Sequence, residues 1–167
     1  MTSEVSGELL SDDERIAWQA ALSTADGLRA LVNSEFGPST GLSSADFLVL
    51  TRLKVAPEYR MAGLKALAAK LDWSPSRLSH HLRRMKTRGL VELVHESGGQ
   101  LVVSATENAQ QVMETASVLH ARAVRRYFLS QATDDELRVI VQLAERVRSQ
   151  RAEVAGGADE GQVQPTR

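Results

Sequence analysis

Apolar residues recur at helical spacing along most of the chain, and they alternate as in a strand only in one central region. The sequence SDDE at residues 11–14 and the sequence TDDE at residues 133–136 each fit a capping box at the start of a helix. Long helices are therefore predicted over residues 11–36 and 106–152. The first carries two apolar stripes, one more than its own core needs, so both segments are predicted to be dimerisation helices.

Two short helical patterns lie in the middle of the chain, separated by three residues. The first covers Gly63 to Leu71. The second begins at Ser74 and Pro75, which suit the N-cap and the first helical position, and it stops at Gly89, which suits a left-handed C-terminus. A connection as short as Asp72 to Ser74 predicts a helix-turn-helix, in which the two helices cross at a steep angle.

Two β-rich runs follow the second of these helices. Residues 89–94 alternate between apolar and polar positions, residues 100–104 form a second run, and the Gly-Gly pair lies between them. Helix, turn, helix and hairpin form the order of a winged helix-turn-helix, predicted here over residues 43–105. The predicted fold class is thus mostly α with a small β-hairpin wing, a winged helix-turn-helix flanked by long dimerisation helices. Residues 1–10 and 153–167 are predicted to be flexible because they are polar and aperiodic.

Positive charge is concentrated on the helix-turn-helix. The whole chain has 20 Lys and Arg against 21 Asp and Glu, whereas residues 70–90 have six Lys or Arg and one Asp. On the second helix Leu78, Leu82 and Met85 form an apolar stripe, and the cationic and hydroxyl side chains lie on the other side. Such a surface is suited to binding the phosphates and base edges of double-stranded DNA. The predicted DNA-binding residues on this helix are Ser74, Ser76, Arg77, Ser79, His80, Arg83 and Arg84.

Other polar residues nearby receive different predictions. His81 and Trp73 are predicted to pack against the core. Lys86 and Arg88 are explained by the favourable interaction of cations with a helix C-terminus. Three further cations lie at the end of residues 44–53 and in the loop after them, where they could touch the DNA backbone: Arg52, Lys54 and Arg60.

The run SPSRLSHHLRRMKTRGLV at residues 74–91 resembles the recognition helix and first wing strand of MarR-type transcriptional regulators. The resemblance extends from about Asp12 to Arg148, and it includes Ser44 to Leu53 as the second helix of the family and Thr106 to Gln110 as the threonine-capped exit helix. It implies a homodimeric transcriptional regulator, either a repressor or an activator, that binds a palindromic operator. It also implies a small aromatic effector between the dimerisation helices and the DNA-binding lobe, with candidate lining residues Arg15, Trp18, Phe47, Met61 and His120.

The predicted wing tip departs from the family pattern. The family usually has an Asp-x-Arg signature and further wing arginines, whereas residues 95–99 read HESGG. His95 is the only tip residue able to become cationic, and it is therefore included among the candidate DNA contacts. We expect either weaker, less salt-sensitive DNA binding or a wing with another role.

Composition excludes several classes of protein. The absence of cysteine excludes disulfides and thiol-based sensing, and no apolar run approaches the ~20 residues of a membrane span. The chain also has no export signal, so it is expected to be cytoplasmic. There is no Gly-rich phosphate loop, HExxH sequence or nucleophile elbow, so neither an enzyme nor a cofactor is predicted. Two alternatives remain: a winged-helix module that binds protein with weak or no DNA binding, and a metal-sensing regulator that uses some of the four histidines.

Overall fold

Six α-helices and three short strands make up the part of the chain that the computed structural model describes, which comprises residues 9–56, 58, 60–96 and 99–159. The prediction of a mostly helical winged fold is confirmed. In chain order the elements are α1 (Asp12–Thr40), α2 (Ser44–Lys54), β1 (Arg60–Ala62), α3 (Leu64–Leu71), α4 (Pro75–Thr87), β2 (Val91–His95), β3 (Leu101–Ala105), α5 (Glu107–Tyr127), a 3-10 turn (Leu129–Gln131) and α6 (Asp134–Asp159).

The helix starts follow the signals in the sequence. Ser11 and Glu14 form the predicted capping box of α1, and the side chains and backbone of Thr133 and Glu136 make the same pair of contacts before α6. The hydroxyl of Thr106 accepts a hydrogen bond from the backbone N–H of Ala109, 3.1 Å away, at the start of α5. These local bonds satisfy amide groups that a helix leaves without a partner in its first turn.

Two helix ends lie further along the chain than predicted. Helix α1 continues through Pro38 to Thr40 and ends at Gly41, which has φ 67°. Within the helix Pro38 removes a single donor, and the Thr40 hydroxyl donates to the carbonyl of Phe36 in the same last turn. Helix α6 continues to Asp159, so residues 153–159 are helical instead of belonging to a flexible tail. Residues 1–8 and 160–167, also predicted to be flexible, lie outside the described residues.

The wing is a three-stranded antiparallel sheet with the order β1-β3-β2. Strands β2 and β3 form the predicted hairpin, with Leu93 opposite Val103. Strand β1, which the sequence pattern did not predict, adds to the other edge of β3, with Met61 also opposite Val103. The residues before α3 are therefore fixed beside the wing.

The core fixes which side of α4 faces outward. Leu78, Leu82 and Met85 are fully buried, as their stripe predicted, and they belong to one apolar cluster with residues of α2, α3 and the sheet. The chain divides into two compact units, one ending at Val124 and the other beginning at Arg125, and the whole helix-turn-helix lies in the first. Among the described residues, no helix has both the length and the apolar character needed to cross a bilayer.

Candidate nucleic-acid interface

The outer side of α4 presents the side chains that the sequence predicted to contact DNA. The N-cap and the helix face are at the surface, because the apolar stripe turns the opposite side into the core. Ser79 is partly exposed and the other six are exposed: Ser74, Ser76, Arg77, His80, Arg83 and Arg84. Their contact with DNA stays a prediction, and their exposure is the condition that it requires.

The turn before α4 holds its first residues in place. The hydroxyl of Ser74 accepts a hydrogen bond from the backbone N–H of Arg77, 3.2 Å away. Trp73 packs against the core, as predicted, and its other side supports the Arg77 guanidinium, whose central carbon lies 4.3 Å from the ring centroid. A cation over an indole face is attracted by the ring quadrupole, so Arg77 is held at the surface close to its own helix start.

A buried carboxylate lies behind α4. Asp46 is 0% exposed, and its Oδ2 accepts hydrogen bonds from Arg88 Nη1 at 2.7 Å and from the backbone N–H and hydroxyl of Ser43 at 2.8 and 2.7 Å. Burial by itself raises the pKa of Asp46, but the bonds from Arg88 and Ser43 and the charge of Arg88 outweigh it and leave the pKa lowered. The carboxylate is thus held in its charged form.

Arg88 has a different role from the one its position at the end of α4 suggested. Besides Asp46, its guanidinium donates to the carbonyl of Gly41, so it ties the end of α4 to the α1–α2 corner. Arg52, predicted as a possible backbone contact, donates to the carbonyl of Lys70 at 3.1 Å and so satisfies the end of α3. Lys54 lines a small cavity between α2 and α5.

His81 connects this buried carboxylate to the outer face. It is only 7% exposed, which agrees with the prediction that it packs rather than contacts DNA. Its Nε2 lies 3.1 Å from Asp46 Oδ1, and its Nδ1 lies 3.2 Å from Arg84 Nη2. Burial lowers the pKa of His81; the charge of Asp46 opposes this shift, and the charge of Arg84 adds to it.

A cation from another strand lies beside the wing tip. The Arg60 guanidinium, from β1, forms an ion pair with the carboxylate of Glu96, and both side chains remain about half exposed. His95 is exposed at the end of β2, while Ser97 and Gly98 of the tip lie outside the described residues. The expectation of a wing without cations therefore holds for residues 95–99 themselves but not for their surroundings.

Comparison with solved structures identifies the fold. AbsC, a MarR family transcriptional regulator from Streptomyces coelicolor, matches with a TM-score of 0.74 and 27% identity over 84% of this chain and 98% of its own. Sco3205, a MarR family regulator from the same organism in complex with DNA, matches with a TM-score of 0.76 and 20% identity over 84% and 89%. The chain has the MarR-type winged helix-turn-helix fold. The family resemblance of residues 74–91 is thereby confirmed at the level of structure.

Further comparisons agree with this assignment. PcaV, a transcriptional regulator from Streptomyces coelicolor in complex with its natural ligand, matches with a TM-score of 0.71 and 20% identity over 84% of this chain and 97% of its own. The family model described as bacterial regulatory protein, arsR family, matches residues 65–92, which cover the helix-turn-helix. A search of curated proteins returned no match. These matched structures are all described as transcriptional regulators.

Within one subunit, the five candidate effector-binding residues do not lie together in one site. Phe47 and His120 stack with ring centroids 4.3 Å apart, and Phe36 packs against both. Met61 packs against the core, whereas Arg15 and Trp18 are exposed on the first half of α1, where Arg15 pairs with Asp12. The structure therefore brings together two of the five.

A cavity does exist between α2 and α5, but other residues line it. Its volume is about 80 Å³, and its lining includes Leu50, Lys54, Met113 and Glu114. An apolar cavity of ~150 Å³, about twice as large, is known to bind benzene. A ring-sized effector would therefore require this cavity to widen.

No group of three or more His, Asp or Glu side chains within the described ranges is arranged to hold a metal ion. His80 and His81 are adjacent on α4, but His81 is engaged with Asp46 and Arg84. The metal-sensing alternative therefore has no ligand set among these residues.

Sequence reasoning did not single out Asp46, and it did not predict the partners of Arg88 and Arg60. Arg88, Asp46 and Arg60 act through partners that are distant in sequence: 42 residues separate Arg88 from Asp46, and 36 separate Arg60 from Glu96. One signal was available for Asp46, because Ser43 and Asp46 fit a capping box, which the structure contains. No local signal marked its pairing with Arg88.

Proposed function

We propose that this chain is a sequence-specific DNA-binding transcriptional regulator that acts as a homodimer on a palindromic operator. The observation that carries the proposal is the exposed face of α4, where Arg77, Arg83 and Arg84 lie on a helix whose other side is buried in the core. An Arg guanidinium can bond the O6 and N7 of guanine in the major groove through two parallel donors. The matched structure of Sco3205 in complex with DNA supports the same use of the fold.

The homodimer is supported by apolar surface that one subunit leaves open. In the first compact unit, large apolar side chains are exposed along α1: Ile16, Trp18, Leu22 and Leu31. In the second unit they are exposed along α6: Val139, Ile140, Val141, Leu143 and Val147. Large apolar side chains exposed in such number on two helices favour burial against a partner, because large exposed apolar patches are rare on monomeric proteins. A two-fold dimer presents two recognition helices about one DNA turn, roughly 34 Å, apart.

We also propose that a small aromatic effector changes the DNA binding of this chain. PcaV was solved with its natural ligand, and that protein shares the fold at 20% identity. An effector can change DNA binding only through different affinities for the DNA-bound and free spacings of the recognition helices.

The function is tested by selecting bound fragments from a random DNA pool. We expect the purified chain to enrich one motif, made of two inverted half-sites whose centres lie about 10 base pairs apart. Enrichment of a single half-site would contradict the homodimer but keep the DNA-binding function. A pool without any enriched sequence would contradict the function itself and favour a winged-helix module that binds protein.

A further inference from the structure

The contact between His81 and Arg84 joins a buried ionisable group to the proposed DNA-binding face. His81 is nearly fully buried, yet its Nδ1 lies 3.2 Å from the Nη2 of Arg84, an exposed residue on that face. On its other side the same imidazole faces the fully buried carboxylate of Asp46. A side chain that only filled the core would need neither contact.

Only one protonation state of the imidazole suits both neighbours. A guanidinium has donors and no acceptor, so the contact with Arg84 requires Nδ1 to carry a lone pair. A carboxylate only accepts, so the proton belongs on Nε2, which lies 3.1 Å from Asp46 Oδ1. Although they are close, these two buried atoms are not aligned as a hydrogen bond, and neither has an aligned partner elsewhere in the described part of the chain. A proton on Nε2 is the arrangement in which the two atoms attract each other.

The Asp46 carboxylate is held in place by contacts other than the one with His81. Its Oδ2 is occupied by Arg88 and by both polar groups of Ser43, which leaves Oδ1 toward the imidazole. The ring is also bounded by Trp73, whose edge meets it with centroids 5.4 Å apart at 90°. These contacts restrict the orientation of the imidazole and favour the tautomer with the proton on Nε2.

We propose that Asp46 and His81 are positioning residues for DNA recognition: the carboxylate selects the Nε2–H tautomer of His81, whose Nδ1 then holds the Arg84 guanidinium in its DNA-contacting orientation. The inference rests on the proposed DNA-binding function. An Arg side chain held in place before the encounter loses less rotamer freedom when it binds DNA. Asp46 and His81 would thus strengthen DNA binding without touching DNA.

Two amide substitutions test the roles of the two ring nitrogens of His81 separately. In His81→Asn the amide lies near the position of Nδ1 and can accept from Arg84, whereas in His81→Gln it lies near Nε2 and keeps only a donor toward Asp46. Affinity for the selected operator is measured for both variants, for Arg84→Ala and for the double variant His81→Gln/Arg84→Ala. We expect His81→Gln to weaken binding by roughly threefold to thirtyfold, in the range of coupled neighbours, and His81→Asn to restore most of it.

The double variant distinguishes positioning from folding. If His81 acts through Arg84, His81→Gln adds no further loss once Arg84 is Ala. An equal loss in both backgrounds, or no loss in either, would overturn the proposal. Urea unfolding of each variant identifies any that lack a folded population. If His81→Gln is one of these, the tautomer of His81 in the wild-type chain tests the proposal instead.

A measurement without DNA keeps this result separate from the proposed function. The nitrogen chemical shifts of His81 in the free protein report which ring atom carries the proton. We expect the Nε2–H tautomer in the wild-type chain and a mixture in Asp46→Asn. An Nδ1–H tautomer in the wild type would overturn the positioning role even if DNA binds. An Nε2–H tautomer with no DNA binding would overturn the proposed function instead.

Discussion

At the scale of single residues, the proposed interface depends on side chains held in place by their neighbours. Arg77 lies over Trp73, Arg84 contacts His81, and Arg83 lies 3.4 Å from the hydroxyl of Ser79. Each guanidinium thus starts from a restricted set of orientations. Restriction before binding lowers the entropic cost of recognition, so it would strengthen DNA binding by this helix.

The buried carboxylate gives the first residue-scale prediction. Asp46→Asn removes the charge that balances Arg88 and weakens several hydrogen bonds inside the first unit. Because Arg88 is 44% exposed and can regain water, we expect a moderate loss of roughly 1–3 kcal/mol in the free energy of unfolding. Urea unfolding measures it. The matched control is Asp26→Asn, which removes an exposed ion pair with Arg29. It should change the free energy of unfolding by less than about 0.5 kcal/mol.

Acid sensitivity is the second residue-scale prediction. Burial lowers the pKa of both His81 and His120 from the ordinary value of 6.5, so on acidification the unfolded chain binds protons first. Their contribution to stability is complete above pH 6.5 and is lost as the pH falls through the lowered pKa values. Urea unfolding at about pH 8 and about pH 5.5 should show this loss. Replacing both histidines with Gln should reduce this loss of stability at low pH. An undiminished loss would contradict the attribution of the acid sensitivity to His81 and His120.

At the scale of elements, the sequence predicted what depends on neighbouring residues. The Ser74 cap, the Pro75 start and the Gly89 stop are local signals, and α4 begins and ends where they indicate. Strand β1 could not be predicted in this way, because three residues carry no measurable alternation and its pairing partner lies about 40 residues further along. Long-range pairs such as Arg88 with Asp46 were missed for the same reason.

The wing gives an element-scale prediction. Glu96 pairs with the Arg60 guanidinium more closely than Glu58, which lies 3.7 Å away. Glu96→Gln should therefore partly free a cation beside the hairpin and tighten operator binding, with the salt slope steeper by up to about 1. Arg60→Ala should act in the opposite direction. Binding measured across a series of salt concentrations checks both. If Glu96→Gln leaves affinity and slope unchanged, this side of the wing does not approach DNA.

At the scale of the whole molecule, DNA binding and dimerisation are predicted to fail together. Ile16→Asp places a charge on the open apolar face of α1, where the wild-type side chain is 63% exposed. We expect a folded monomer by light scattering, with operator affinity lowered at least tenfold because only one recognition helix can bind at a time. Val55→Asp, at an exposed apolar residue after α2, should leave the dimer intact. A variant that stays dimeric would exclude this part of α1 from the interface.

The central claim is that the exposed cationic face of α4 binds DNA, and operator affinity of Arg83→Ala tests it most directly. Arg138→Ala is the control, because Arg138 is also exposed but lies on α6, paired with Asp135. We expect Arg83→Ala to weaken binding by about 1–3 kcal/mol while the oligomeric state is unchanged, and Arg138→Ala to match the wild type. An affinity unaltered by Arg83→Ala would remove this face of α4 from the DNA interface and contradict the account.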